Sequence, residues 1–197
     1  MNWGIKMPRK SSPLEEQIKT LASCGIILRD DVTIEHLLAM FSREAYENDP
    51  YRFLLTVMGG DLEEELYGFA SNNIWHFDTE CIEDHGDYTS IAHRMNELAG
   101  GELRMDQIED YVDIEEETAW LSFKLKGRAF KWDAAVDNDW VDPTILSRFA
   151  QLLAQQRTDK RFTYLDLGGQ DCLIGCCTPR QLASLNKNTG LNFEWLT

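Results

Sequence analysis

Thr118-Ala-Trp-Leu-Ser-Phe-Lys-Leu-Lys-Gly-Arg-Ala-Phe-Lys-Trp-Asp-Ala134 decides the fold class. Ala119, Leu121, Phe123 and Leu125 alternate with Trp120, Ser122 and Lys124. A period of two puts the first set on one face of a strand and the second on the other. Gly127 then breaks the run, and Arg128 to Val136 returns as the next strand. A tight turn between two such runs is a hairpin, so the pairing is antiparallel. Trp120 falls on the Ser122/Lys124 face, where either another layer or a partner must cover it.

Working outward, Ile108, Asp110, Val112 and Ile114 alternate with polar or aromatic residues and predict a strand before the hairpin. After it, Asp142-Pro143 forms an N-cap and N1 pair. The helix that follows carries Ile145, Leu146, Phe149, Leu152 and Leu153. Arg161–Leu167 and Gln170–Cys177 flank Gly168-Gly169, a second hairpin signal. Thr178-Pro179-Arg180-Gln181 is a capping box opening a helix, and Leu191 to Leu196 is a last strand.

The N-terminal side is helical. Ser12-Pro13-Leu14-Glu15 reads as a capping box, with Leu14, Ile18 and Leu21 on one face and Gly25 as the stop. Thr33 caps a second helix bearing Ile34, Leu37, Leu38 and Phe41. Asp49-Pro50 starts a third, with Phe53, Leu54, Val57 and Met58, closed by Gly59-Gly60. Between the halves, Leu62–Tyr67 fits a short helix or a loop, and Asn73–Phe77 fits a strand. Asp87 caps a helix over Tyr88, Ile91, Met95 and Leu98.

The order predicts an α+β fold: N-terminal helices, then a mainly antiparallel sheet with helices packed on one face. Residues 1–11 read as a flexible tail and 12–197 as a single domain. Within it, 12–60 is helical, 61–117 acidic and 107–197 β-rich. Hydrophobic residues make up 43% of the 197, enough for a core without disulfides. The five cysteines are an odd number, and no apolar leader precedes the first helix, so a disulfide framework is not expected. Cys172, Cys176 and Cys177 read as small buried hydrophobes. No run of 18 apolar residues occurs, so a cytoplasmic protein away from membranes is expected.

The charge is uneven. The net charge is −15, yet residues 61–117 hold 18 Asp or Glu against Arg94 and Arg104, which places −16 in that segment. Phosphate backbones need clustered Lys and Arg, so direct nucleic-acid binding is not expected. A concentrated negative field either keeps the chain soluble or steers a basic partner onto it.

No GxSxG, Walker A, GxGxxG, HExxH or CxxC motif is present. The expectation is a protein that is not an enzyme and needs no cofactor. One constellation offers an alternative. If their segment is a strand, His76, Asp78 and Glu80 project from one face, as in a metal-dependent hydrolase. Cys81 beside His76 or His85 would be a nucleophile in a further reading. His36 and His93 lie in helical patterns and read as structural. The candidate partner-binding face comprises Asp78, Glu80, Glu83, Asp84 and Asp87, with Trp75 as its aromatic anchor.

Several stretches are similar to those of immunity proteins of bacterial polymorphic-toxin and contact-dependent-inhibition systems. They are Leu21-Ala-Ser-Cys-Gly-Ile-Ile-Leu28 with Val32-Thr-Ile-Glu-His-Leu-Leu38, the acidic aromatic segment Trp75–Tyr88, and Asp139-Trp-Val-Asp142 followed later by Gly168-Gly-Gln-Asp171. The resemblance implies a non-catalytic protein that binds a toxin domain and blocks it. Many such toxins are basic nucleases. It assigns no site residue.

Overall fold

A computed structural model describes residues 11–61 and 68–197. Residues 1–10 of the expected 1–11 tail and the Leu62–Tyr67 segment lie outside the described residues. The α+β class and the antiparallel pairing are as the sequence predicts, but the strands divide between two sheets.

The opening hairpin forms β3 (Thr118–Leu125) and β4 (Arg128–Ala134), joined through Lys126 and Gly127. Their φ values of 52° and 79° match the right-handed twist of the flanking strands. β2 (Met105–Asp113) completes a three-stranded sheet in the order β2-β3-β4. Its register shifts between Asp106 and Glu109, with Gln107 at φ 49°. This bulge explains why Met105 and Val112, of opposite parity, are both buried.

The second sheet has the order β1-β6-β5-β7. It is built from β1 (Ile74–Asp78), β5 (Arg161–Gly168), β6 (Asp171–Cys177) and β7 (Glu194–Trp195), all antiparallel neighbours. The β5–β6 turn falls on Gly169-Gln170, one residue later than Gly168-Gly169, because Gly168 still pairs with Asp171.

Each face of this sheet walls a core. Leu173 and Ile74 face the first core, with α1 (Leu14–Ser23), α2 (Ile34–Met40), α4 (Arg52–Gly59) and α7 (Pro179–Thr189). Ile174, Cys172, Trp75 and Phe77 face the second, with α5 (Asp87–Leu98), α6 (Pro143–Ala154) and the inner face of the three-stranded sheet. Phe123 is fully enclosed there against Phe130, Trp132 and Phe149. Burying such a ring contributes about 1.5–3 kcal/mol. Among the described residues, the three-stranded sheet thus carries helices on one face only, while the four-stranded sheet is covered on both.

Among the described residues, four helices precede β1 where three are expected in the first 60 residues. The extra one, α3 (Arg43–Asn48), is capped by Ser42 Oγ, which accepts from Ala45 N at 3.4 Å. The Ser12 capping box does not form, and Pro13 occupies the N-cap. Glu47 serves there instead, its Oε1 accepting from Leu14 N at 3.2 Å. Gln17 ties the neighbouring chain to α1: its Nε2 donates to Ser12 O and Tyr46 O, and its Oε1 accepts from Tyr51 N. Gly25 closes α1 at φ 91°, with Ile26 N bonded back to Leu21 O. α4 crosses β1 at Gly59, where a Cβ would overlap the backbone of His76.

Candidate functional site

The acidic loop between β1 and α5 is built around two carboxylates. Asp87 Oδ2 accepts from Glu83 N at 2.7 Å and Asp84 N at 2.9 Å, folding the loop back onto the helix start. Asp87 is therefore the first residue of α5, and Gly86 is the N-cap. The capping role falls to a residue far along the chain. Asp110, on β2, accepts from Gly86 N at 2.7 Å and from Thr89 N at 2.9 Å. It satisfies two of the amides that a helix start leaves unpaired and sets a negative charge at the positive end of the dipole. The sequence placed Asp110 on a strand and could not show that it reaches α5.

Glu83 and Asp84 are exposed on this loop. Among the described residues, no ion pair involves Glu83, Glu109 or Glu115–Glu117. Asp84 meets only His85, at 3.1 Å. These carboxylates are directed at solvent rather than at cations of the same chain.

The remaining predicted residues divide. Asp78 is half-buried and already bonded, accepting from Glu80 N at 2.9 Å and Gln170 Nε2 at 3.1 Å. β1 ends at Asp78, so Glu80 does not share its face and bridges to Trp140 instead. The anticipated row of His76, Asp78 and Glu80 is thus broken at its third member. His76 pairs with Asp171 across β1 and β6 at 3.2 Å. Among the described residues, no three His, Cys, Asp or Glu side chains stand where they could hold a metal ion.

Trp75 is not the anchor of an exposed face. It is 8% exposed and packs on Phe77 with ring centroids 4.3 Å apart, inside the second core. Strand parity is the reason: Trp75 and Phe77 point one way, His76 and Asp78 the other. The outward-facing aromatics near the loop are others, with His85 exposed and Tyr111 and Trp120 half-buried. The His85 ring lies 4.7 Å from Tyr111, Tyr111 stacks on Trp120 at 6.2 Å, and Lys131 Nζ sits 4.2 Å above Trp120. This ladder runs from the acidic loop across the outer face of the three-stranded sheet. No further layer covers Trp120 among the described residues, and it remains half-buried by its neighbours. The alternation that singled out Trp120 also points Tyr111 outward, opposite Asp110 and Val112.

A cleft of about 450 Å³ between β1 and α5 is lined by His76, Asp78, Cys81, Asp87, His93 and Arg94, among others. Burial, with Asp87, Asp78 and Asp139 nearby, pushes the Cys81 thiol up to about 12. A thiol held protonated is a poor nucleophile. Burial likewise lifts Cys172 and Cys176 to about 12 and Cys177 to about 11. All five cysteines are unpaired, as the sequence predicts. No described helix is long and apolar enough to cross a membrane.

No family model matches the chain, and neither a curated protein nor a solved structure shows significant similarity to it.

Proposed function

We propose that the protein is a non-enzymatic binding protein that captures and neutralises a basic protein, of the toxin-domain kind implied by its resemblance to immunity proteins. The observation that carries this reading is the juxtaposition of the exposed carboxylates Glu83 and Asp84 with the outward ladder of His85, Tyr111 and Trp120. Exposed carboxylates with no Lys or Arg partner give fast, steered encounter with a cationic surface. Aromatic rings on a rigid sheet supply contact area with little loss of side-chain freedom on binding. Trp120 and Tyr111 take the place first given to Trp75.

The test starts from the partner. Immobilised protein is exposed to native host lysate at low salt, and retained proteins are identified by mass spectrometry. Association kinetics are then measured with the purified partner. The double variant Glu83→Lys/Asp84→Lys slows association by about 10-fold or more at low salt, and the difference shrinks as salt rises. The variant Trp120→Ala chiefly speeds dissociation. Association rates unchanged by the charge reversal would sink the reading.

A further inference from the structure

β1 is an edge strand, and two hydrogen bonds fix the direction of its backbone groups. Thr79 N donates to Gln170 O at 3.0 Å. In an antiparallel ladder, residues that bond to the neighbouring strand alternate with residues that do not. Trp75, Phe77 and Thr79 therefore bond towards β6, while Ile74, His76 and Asp78 turn their N–H and C=O groups away from it. The second bond agrees. Arg94, on α5, donates to Ile74 O at 2.7 Å, on the side that β6 leaves open. Past Ile74 that open edge continues. Among the described residues, no hydrogen bond reaches the backbone of His76 or Asp78 on that side.

The cleft of about 450 Å³ between β1 and α5 lies along this stretch. Strand parity divides its β1 lining. Trp75 and Phe77 turn their rings into the second core, beside α5, whereas the side chains of His76 and Asp78 leave by the other face. These two residues therefore offer the cleft their backbone. Across the gap, Ser90 and His93 form an exposed rim on α5. Arg94 also lines the cleft; it is 3% exposed, and its Nε has no hydrogen-bond partner. An open strand edge, a gap and a flanking helix are the parts of a site that takes an extended peptide as an added strand.

Charge selects the peptide. Asp78, Asp87 and Glu97 line the cleft with Arg94. Arg94 pairs with Glu97 at 3.0 Å and offsets it. Among the described residues, Asp78 and Asp87 accept only from amides: Glu80 N and Gln170 Nε2 for the first, Glu83 N and Asp84 N for the second. A neutral donor leaves the charge in place, so two negative charges remain at the cleft. Asp87 also belongs to the acidic loop, which makes the cleft continuous with that face.

We propose that the cleft between β1 and α5 binds an extended segment of a basic protein by strand addition on His76 and Asp78. The segment exchanges N–H···O=C bonds with His76. Its Arg or Lys side chains, at alternate positions, enter the cleft towards Asp87 and lay their apolar stems along its floor. This inference rests on the reading of a basic protein partner and adds how part of that partner is held.

The probe is an acetylated, amidated Val-Arg-Val-Arg-Val peptide, added to the ¹⁵N-labelled full chain at constant ionic strength. The backbone amides of His76, Asp78, Ser90 and His93 shift saturably, while those of β4, an edge of the other sheet, stay still. Methylating the amide nitrogen of the central valine removes a bond to His76 and weakens binding about 10-fold or more. Glutamate in place of both arginines abolishes it. The variant Ser90→Trp, altered at an exposed position on the rim, keeps the fold and loses the peptide. Equal binding of the methylated or the glutamate peptide overturns the proposal. So does undiminished binding by Ser90→Trp, or no saturable shift up to about 5 mM peptide. The two readings fail separately. A peptide held in the cleft with no protein retained from lysate sinks the capture reading alone. A retained partner with a cleft indifferent to the peptide sinks this one alone.

Discussion

Arg94 illustrates how little of this chain's charge chemistry can be judged from composition. It is one of two cations in the acidic segment, yet it is only 3% exposed. Its Nη2 donates to Ser71 O at 2.8 Å and Ile74 O at 2.7 Å, and its guanidinium stands 3.5 Å from the Phe69 ring centroid. Burial lowers its pKa, with Glu97 acting in the opposite direction. Replacing Arg94 with Met fills similar volume but leaves two backbone carbonyls without donors. Orphaned buried acceptors are expensive, so Arg94→Met should lower stability by about 3 kcal/mol in urea unfolding. A loss under about 0.5 kcal/mol would show that water or a shifted backbone serves those carbonyls equally well. Trp75 teaches the same lesson from the apolar side. Its acidic neighbours suggested the surface, and strand parity buried it.

At the scale of elements, α5 is held by a residue that belongs to another element. Asp110 ties the helix start to β2, and the same loop carries Glu83 and Asp84. Asp110→Ala should cost about 1–2 kcal/mol, the usual value of a lost N-cap. Asp110→Asn keeps an acceptor for one amide and should lie between the two. Chemical denaturation reads the stability, and weakened partner association would report that the loop has lost its shape. Equal stability of all three proteins would remove the capping role. The elements themselves were largely legible. Alternation in β3, the Asp142-Pro143 start of α6 and the Thr178/Gln181 box of α7 all appear where local chemistry put them. Local chemistry could not reveal that the strands divide between two sheets, because pairing partners are distant in the chain. It also missed α3, whose six residues carry one buried side chain, Tyr46, and so no readable stripe. The candidate face was half legible. The acidic loop was found, while its aromatic companions depended on which strand lay beside it.

For the whole molecule, the buried thiols and the Tyr46 phenol share one direction. Cys81, Cys172 and Cys176 are raised to about 12, Cys177 to about 11 and Tyr46 to about 12, each mainly by burial. The unfolded chain releases these protons near the ordinary values of 9.0 and 10.0, whereas the folded chain retains them. Their contribution is therefore complete below about pH 9 and is lost as pH climbs through 9 to 12. Thermal unfolding should show a melting temperature that is flat near neutrality and falls steeply above about pH 9. A melting temperature constant to about pH 11 would contradict the enclosure of these groups. The two cores around β6 carry one more consequence. Leu173 and Ile174 are chain neighbours, yet they occupy opposite interiors. A slip of β6 by one residue would exchange the contents of both at once. Misregistered pairing is then penalised twice over, so this strand acts as the fold's proofreader, rejecting wrong alignments before either interior can set.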